Sequence, residues 1–372
     1  MKNNKIRQIL YCLAFAVFVA EYIFWSFQEY FLIPSIVATI MILAVFVLGI
    51  SLYSKKELLL SCLIVIGSFV VFLTSKDASL IKLALFIVSG RGIDFRKVVK
   101  CDFWMKIVCM ATTFILFFLN VVPDVQLWVN STLKHSLGFS HPNTLGALLF
   151  FVVADYYYAY GRKVTIVNSV GVGAICAFLL AVPHSRTSVF AILLLYLFLL
   201  IKERKFFKKF ANNKILRVVV RNSFAIIALL VLGSMFLFSS GSEVGNRINI
   251  ALSNRLQYIS RYYDEYGITL LGNDFTGFWS RLNTLDNAFA YIIFRYGALF
   301  FLVAALAFRK LMDVFYIKKN YTLLFTFLVL FIYGFSENGW IRVSNNVFLV
   351  SLSVLLFPNF LEEKDRNESQ IK

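Results

Sequence analysis

Uncharged apolar runs recur along the whole chain, and they decide what it can fold into. A run such as "LIPSIVATIMILAVFVLGISLY" (32–53) has the length of a bilayer crossing, for which a helix needs about 20 apolar residues. The 372 residues are 60% hydrophobic and 17% aromatic with only 15% charged, and mean hydropathy is +0.77. No single soluble core can hide that much apolar surface. Inside a bilayer every backbone polar group must find a partner within the chain, so such runs become helices. Crossings are predicted near 8–27, 32–53, 58–74, 79–91, 104–122, 143–160, 164–182, 187–201, 222–239, 288–308, 321–335 and 344–360. The predicted fold is therefore an all-α integral membrane protein of about twelve helices. Residues 1–372 read as one polytopic domain with both termini on the same side.

Lysine and arginine orient it. With the N-terminus cytoplasmic, 27 of the 37 Lys and Arg fall in inner loops and termini and 8 in outer loops. Lys82 and Arg295 lie within crossings. That bias is the positive-inside pattern. It also accounts for the net charge of +17, which in a soluble chain would suggest nucleic acid as a partner. Here the partner is the lipid bilayer, and the basic loop 202–221, with "KERKFFKKF" at 202–210, is cytoplasmic. Cys12, Cys62, Cys101, Cys109 and Cys176 lie in crossings or on the inner side, so no structural disulfide is expected, and no Cys/His spacing describes a metal site. The basic, apolar N-terminus contains Glu21 and lacks a small-x-small cleavage site, so it reads as an uncleaved first crossing.

On the outer side stand two long loops, one before the sixth crossing and one at 239–287. The first ends in "LGFSHPNTLGALLFF", where His141, Pro142 and Asn143 open a helix; Pro suits a first turn. In the second, Ile248, Leu252, Leu256, Ile259 and Tyr263 recur at helical steps and predict one amphipathic helix on the bilayer surface. On that helix Arg247 and Arg255 share a face and Arg261 projects elsewhere. Arg186 and His184 occupy the turn opening the eighth crossing, while Lys82 and Arg295 lie in the outer halves of theirs. An intramembrane charge needs a partner or a cavity. Glu21 is available to pair with one of these cations, and Asp155 with a cation nearer the inner side. The outer cations otherwise describe a pocket rimmed by His141, His184 and Asp286 that suits a lipid-linked phosphate or diphosphate, and arginine is the residue best made for a bidentate grip on phosphate. Structural roles stand beside these: arginines that solvate a polar face, His141 as a helix-start residue, and Asp286 or Asn287 as an N-cap in "LDNAF".

In order along the chain, "GFSHPNTLG", "SRTS", "SNRLQYISRYYDEYGITLLG" and "DNAFAYIIFRYGALF" resemble the Wzy-type polysaccharide polymerases and O-antigen ligases, a similarity running from "SGRGIDF" at about Arg91 to the end. The ligase signature places His, then Asn, Ser or Gln, nine residues, Gly, two residues, and Gly, Thr or Tyr. This chain has Asp286-Asn287, nine residues, Gly297 and then Phe300, a departure that favours the polymerase branch. Arg261, ten residues and Gly272 match an Arg-x10-Gly pattern of polymerases.

The resemblance implies a multi-pass protein of the bacterial plasma membrane that joins polyprenyl-diphosphate-linked oligosaccharide repeat units into a cell-surface polysaccharide. It needs no cofactor or metal, and its pathway partners are a flippase and a chain-length regulator. A hydroxyl of the incoming unit attacks the anomeric carbon joined to the diphosphate, so the leaving group needs cations and the hydroxyl a base. Arg186, Arg247, Arg255 and Arg295 are candidates for the first need, with Arg261, Lys82, His184 and Asn143 as further substrate contacts. His141 or Asp286 is the candidate base. The alternatives are ligase-type transfer to another acceptor and a flippase or transporter of lipid-linked sugars. The absence of an internal repeat and the asymmetry of the outer loops speak against the transporter.

Overall fold

The structure is a computed structural model that describes residues 2–129, 132–161, 164–202, 204, 213–276 and 285–362. Arg162, Lys163, Arg281, most of the basic stretch 202–210, and residues 277–284 of the long loop 239–287 lie outside the described residues. The chain folds as two compact units. Unit 1 comprises Met1–Cys62, Lys82–Leu200 and Val343–Lys372; unit 2 comprises Leu63–Ile81 and Ile201–Arg342.

In chain order the helices are α1 (Lys2–Ile23), α2 (Leu32–Gly49), α3 (Lys55–Ser75), α4 (Ser79–Val88) and α5 (Phe95–Phe118). A two-stranded hairpin follows, β1 (Gln126–Val129) against β2 (Thr132–His135), antiparallel with Gln126 opposite His135. Then come α6 (Pro142–Ala159), α7 (Ile166–Ala181), α8 (Arg186–Lys202), α9 (Lys214–Arg221), α10 (Ser223–Ser239), α11 (Glu243–Ala251) and α12 (Arg255–Tyr266). The last are α13 (Ala288–Tyr291), a π-helical turn (Ile292–Tyr296), α14 (Gly297–Ile317), α15 (Tyr321–Tyr333) and a 3-10 helix (Val347–Leu355).

Among the described residues, five segments are long and apolar enough to cross a bilayer: Asn3–Ile23, Trp25–Leu52, Lys55–Ser75, Phe95–Phe118 and Ala288–Ile317. The pair α9–α10, bent by 63°, makes a sixth if taken as one span. The faces they leave uncovered are apolar, as at Leu32, Ile33, Ile36, Ile40 and Val47 on α2 and at Val108, Ile115 and Phe118 on α5, where lipid and not water is the suitable solvent. Other predicted crossings fall on shorter helices. The fourth is the ten-residue α4, about 15 Å long at 1.5 Å per residue. The twelfth, predicted at 344–360, is not an α-helix but the nine-residue 3-10 run Val347–Leu355, about 18 Å long at 2.0 Å per residue. That run threads the interior of unit 1: seven of its nine residues are buried, Phe348 meets Tyr158 edge-on at 6.0 Å, and Ser353 Oγ donates to the Ile87 carbonyl at 3.0 Å.

Unit 1 is built on α1, which packs against α2 and α5, while α5 packs against α6 and the 3-10 run. Phe86 is its aromatic centre, met edge-on by Tyr11, Phe15 and Phe18 at 5.1, 5.3 and 5.9 Å. Two residues expected among the inner basic loops are instead inside it. Arg7 is buried on α1, its Nε donating to the Val45 carbonyl at 3.0 Å. Lys106 is buried on α5 between Asp102 (2.5 Å) and Asp155 (3.0 Å), so Asp155 does have a cation partner, as the sequence left open to it. The reason is helix length: α5 starts at Phe95, nine residues before the predicted crossing, behind Asp94, whose side chain caps the Lys97 N–H. In unit 2, α10 packs against α11, α12, α13, α14 and α15, with Phe224 meeting Phe289, Phe301, Phe308 and Phe331.

The single amphipathic helix expected over Ile248–Tyr263 is two helices. The break falls at Leu252–Asn254, where Ser253 (φ 54°) and Asn254 (φ 64°) are left-handed. Asn tolerates that conformation, and here its N–H donates to the Asn249 carbonyl at 2.8 Å while the Asn249 side chain caps Gln257 N–H at 3.1 Å. Arg247 and Arg255 therefore share no helix face.

Candidate functional site

Unit 2 gathers its polar groups around Arg295. The π-helical turn Ile292–Tyr296 frees backbone carbonyls that an α-helix would occupy, a feature found frequently at functional sites. The segment Thr269–Asn273 takes them up. Asn273 donates through Nδ2 to the Phe294 carbonyl at 2.8 Å and through its backbone N–H to the Arg295 carbonyl at 3.2 Å. In return Ala298 and Leu299 N–H groups donate to the Thr269 and Leu270 carbonyls at 2.9 and 3.1 Å. This docking needs two glycines. Gly272 (φ 92°) and Gly297 (φ 90°) are left-handed, and a Cβ on either would run into the other segment's backbone. The Gly of "GITLLG" and the Gly of "FRYGALF" are thus one structural requirement, met in space.

The dock sets the position of Arg295, which is 6% exposed. Its Nη2 donates to the Ser75 carbonyl at 3.2 Å, its Nε lies 3.7 Å from Asp77 Oδ2, and its guanidinium faces the rings of Phe275 (5.3 Å) and Tyr291 (5.6 Å). Asp77 is the hub. Its Oδ2 accepts from the Tyr291 and Tyr296 hydroxyls, both at 2.8 Å, and its Oδ1 from Ser79 N–H at 2.9 Å. Burial alone would raise its pKa, but the hydrogen bonds from Ser79 and the charges of Arg295 and Arg342 outweigh it and bring the carboxyl down to about 2. Asp77 is a fixed anion that positions an arginine, not a base.

The other predicted residues of unit 2 are less concentrated. Arg255, at the start of α12, lies 4.0 Å from Glu337 and is largely covered. Arg261 is exposed, and Arg247 is an exposed partner of Glu243 at 2.5 Å, a helix-surface pair worth little. Asp286 is half-buried near Tyr262, whose hydroxyl is pushed up to about 12 by burial, with the charge of Asp286 among the lesser causes. Asp286 does not cap α13; Asn287 does, accepting from Ala290 N–H at 2.9 Å and donating to the Phe335 carbonyl at 2.8 Å.

Unit 1 holds the remaining candidates. His141 is the N-cap of α6, its Nδ1 accepting from the Asn143 N–H at 3.0 Å. A ring nitrogen that accepts has no proton, so the neutral ring carries it on Nε2. One face of His141 is exposed to solvent, yet close neighbours on the other desolvate the ring, and with Lys134 nearby its pKa is lowered. In this arrangement His141 presents a donor, its basic nitrogen being occupied by the cap. His184 is half-buried in the turn before α8 with φ 50°, and Arg186 opens α8 with its side chain exposed. Lys82 donates to both carboxylate oxygens of Glu21, at 3.1 and 3.0 Å, which is the ion pair open to it from sequence.

Protein-family models, curated proteins and solved structures were compared with the chain, and none matches.

Three groups escaped the reading of the sequence. Asp77 sits in a short turn, "SKDASL", with no local pattern to mark it, and the phenols of Tyr291 and Tyr296 lie in an apolar run that packing alone explains. Asp124 and His135, eleven residues apart in the stretch before α6, meet through a carboxylate–imidazole hydrogen bond of 2.5 Å that only the hairpin register brings together.

Proposed function

We propose that the chain polymerises polyprenyl-diphosphate-linked oligosaccharide repeat units into a cell-surface polysaccharide, by metal-independent glycosyl transfer on the outer face of the membrane. In this reading the helices make about twelve crossings with both termini and the 202–221 loop in the cytoplasm, as the 27-to-8 division of basic residues implies. The observation that carries it is the convergence on Arg295. Gly272 and Gly297, from two separate stretches bearing the polymerase resemblance, lock together and fix a buried arginine whose position Asp77, Tyr291 and Tyr296 define. A preorganised guanidinium can meet charge developing on a departing diphosphate without reorganising at the moment of reaction. Arg255, at the same unit's α12, is a second cation for that role.

The test is elongation in a defined system. Protein purified into nanodiscs is given a lipid-diphosphate-linked repeat unit extracted from its own cells, with EDTA present, and products are sized. A ladder of polymer lengths that vanishes with Arg295→Ala supports the proposal. Transport of the lipid without covalent elongation, or elongation that EDTA stops, refutes it in that form.

A further inference from the structure

We infer that Asp124 and His135 form a catalytic dyad in which His135 Nε2 takes the proton of an attacking sugar hydroxyl. The inference rests on the glycosyl-transfer reading above.

The dyad is assembled by the hairpin. Pairing of β1 with β2 brings Gln126 opposite His135 and returns the chain to Asp124, the second residue before β1. Asp124 is then locked from several sides. Its Oδ1 accepts from the Ser136 and Leu137 N–H groups, both at 2.9 Å, and its Oδ2 meets His135 Nδ1 at 2.5 Å. Burial would raise its pKa, but the bonds from His135, Leu137 and Gln126 prevail and lower it, so the carboxylate is an ionised acceptor near neutral pH. An ionised acceptor on Nδ1 requires Nδ1–H, which leaves the lone pair of the neutral imidazole on Nε2. This orientation of a general base by a buried-edge carboxylate is the triad logic without the nucleophile.

The contrast with His141 settles which imidazole is set up as a base. His141 uses Nδ1 as an acceptor in the α6 cap and presents Nε2–H; His135 uses Nδ1 as a donor and presents a free electron pair. Among the described residues no group holds His135 Nε2, and the side chain is 35% exposed, enough to meet a substrate hydroxyl. The setting fits an anionic substrate. The His135 N–H donates to the Val182 carbonyl at 3.5 Å, which ties β2 to the turn carrying His184 and Arg186, and Lys134 lies next in sequence. Strain marks the same place: Leu137 (φ 52°) and His184 (φ 50°) are left-handed without being glycine or asparagine, and Leu137 holds that conformation while its N–H serves Asp124.

The acceptor O–H bond breaks and its proton passes to His135 Nε2. The oxygen's electron pair forms the new bond to the anomeric carbon, while the carbon–oxygen bond to the diphosphate breaks and its pair leaves on the diphosphate. Loss of the proton from the imidazolium to solvent restores the base. Asp124 is a positioning residue that holds the tautomer and stabilises the imidazolium.

The test uses the full-length protein in nanodiscs with its lipid-linked repeat unit. His135→Asn can still donate to Asp124 and close the hairpin but cannot accept a proton near neutrality. Its turnover should fall about a hundredfold or more with KM changed little, and free imidazole should restore part of the activity of His135→Ala. Independently of turnover, solid-state NMR of protein carrying 15N-histidine, with the three histidines assigned by substitution, should find Nδ1–H at His135 and Nε2–H at His141. Asp124→Asn should remove the first assignment. Wild-type turnover in His135→Asn overturns the base role while leaving polymerisation standing. An Nε2–H tautomer at His135 overturns the dyad whatever the rates. A wild-type protein that binds the lipid but never elongates overturns the glycosyl-transfer reading, and the base role with it.

Discussion

Replacing Asp77 by Asn tests whether the anion under Arg295 organises unit 2. The carboxyl drops from 3.8 to about 2 on folding, a difference of about 2 kcal/mol between the ionised and protonated forms. Because the folded pKa is the depressed one, that stability is fully present above the unfolded pKa and is lost as pH falls from 3.8 toward 2. Asparagine offers one oxygen to the Tyr291 and Tyr296 hydroxyls and cannot carry the charge that Arg295 and Arg342 attract. Asp77→Asn should therefore lower the melting temperature of the nanodisc-embedded protein at pH 7 by about 5 °C, at roughly 2–4 °C per kcal/mol for a large domain. Near pH 3 the gap should shrink to about half, since the carboxyl of the unfolded chain is by then mostly protonated and folding must release that proton. A double-mutant cycle sharpens the point. Tyr296→Phe removes a charge-assisted hydrogen bond in the wild type but only a neutral one in Asp77→Asn, so the two losses should fall short of additivity by about 1–2 kcal/mol. Melting within about 1 °C of wild type at pH 7, or strictly additive losses, would refute the hub.

Three further outcomes are expected. Gly272→Ala and Gly297→Ala should each abolish the dock of Thr269–Asn273 on the π-helical turn, because the left-handed backbone costs a Cβ-bearing residue about 1–2 kcal/mol before any clash is counted; protein that accumulates and melts normally in either variant would contradict this. In a cysteine-free background, a cysteine at position 208 should react with a membrane-impermeant maleimide only after the membrane is opened, and labelling of intact cells would invert the orientation. Arg255→Lys and Arg186→Lys should each remove most chain elongation while the protein still reaches the membrane, since an ammonium cannot reproduce a bidentate grip on phosphate; full polymer length in both would reduce those arginines to surface residues.

What could be read from sequence was whatever depends on local composition. Helices were legible because an apolar run in a bilayer has no other way to satisfy its backbone, and α2, α3, α5 and the run from Ala288 to Ile317 stand where the hydropathy places them. The helix start at His141-Pro142-Asn143 was legible because caps and N1 prolines are local. The Lys82–Glu21 pair was legible as a possibility, since an intramembrane lysine must find an anion, although the choice of partner was not.

What the tertiary structure alone decided concerns residues far apart in the chain, or choices that local propensity leaves balanced. Nothing in "SKDASL" announces that Asp77 will meet two phenols more than two hundred residues on, because its hydrogen bonds exist only once α3, the π-helical turn and their loops have packed. The break between α11 and α12 pits a continuous helical pattern against one left-handed Ser-Asn pair, and side-chain bonds from Asn249 tip that balance. The three histidines show the limit most plainly. Sequence supplies an imidazole at 135, 141 and 184, but whether a ring presents a base or a donor depends on which nitrogen its neighbour has claimed. At His135 that neighbour is Asp124, delivered by a strand register; at His141 it is the N–H of Asn143, delivered by a helix start. Proton placement is a property of contacts, and contacts are what folding adds.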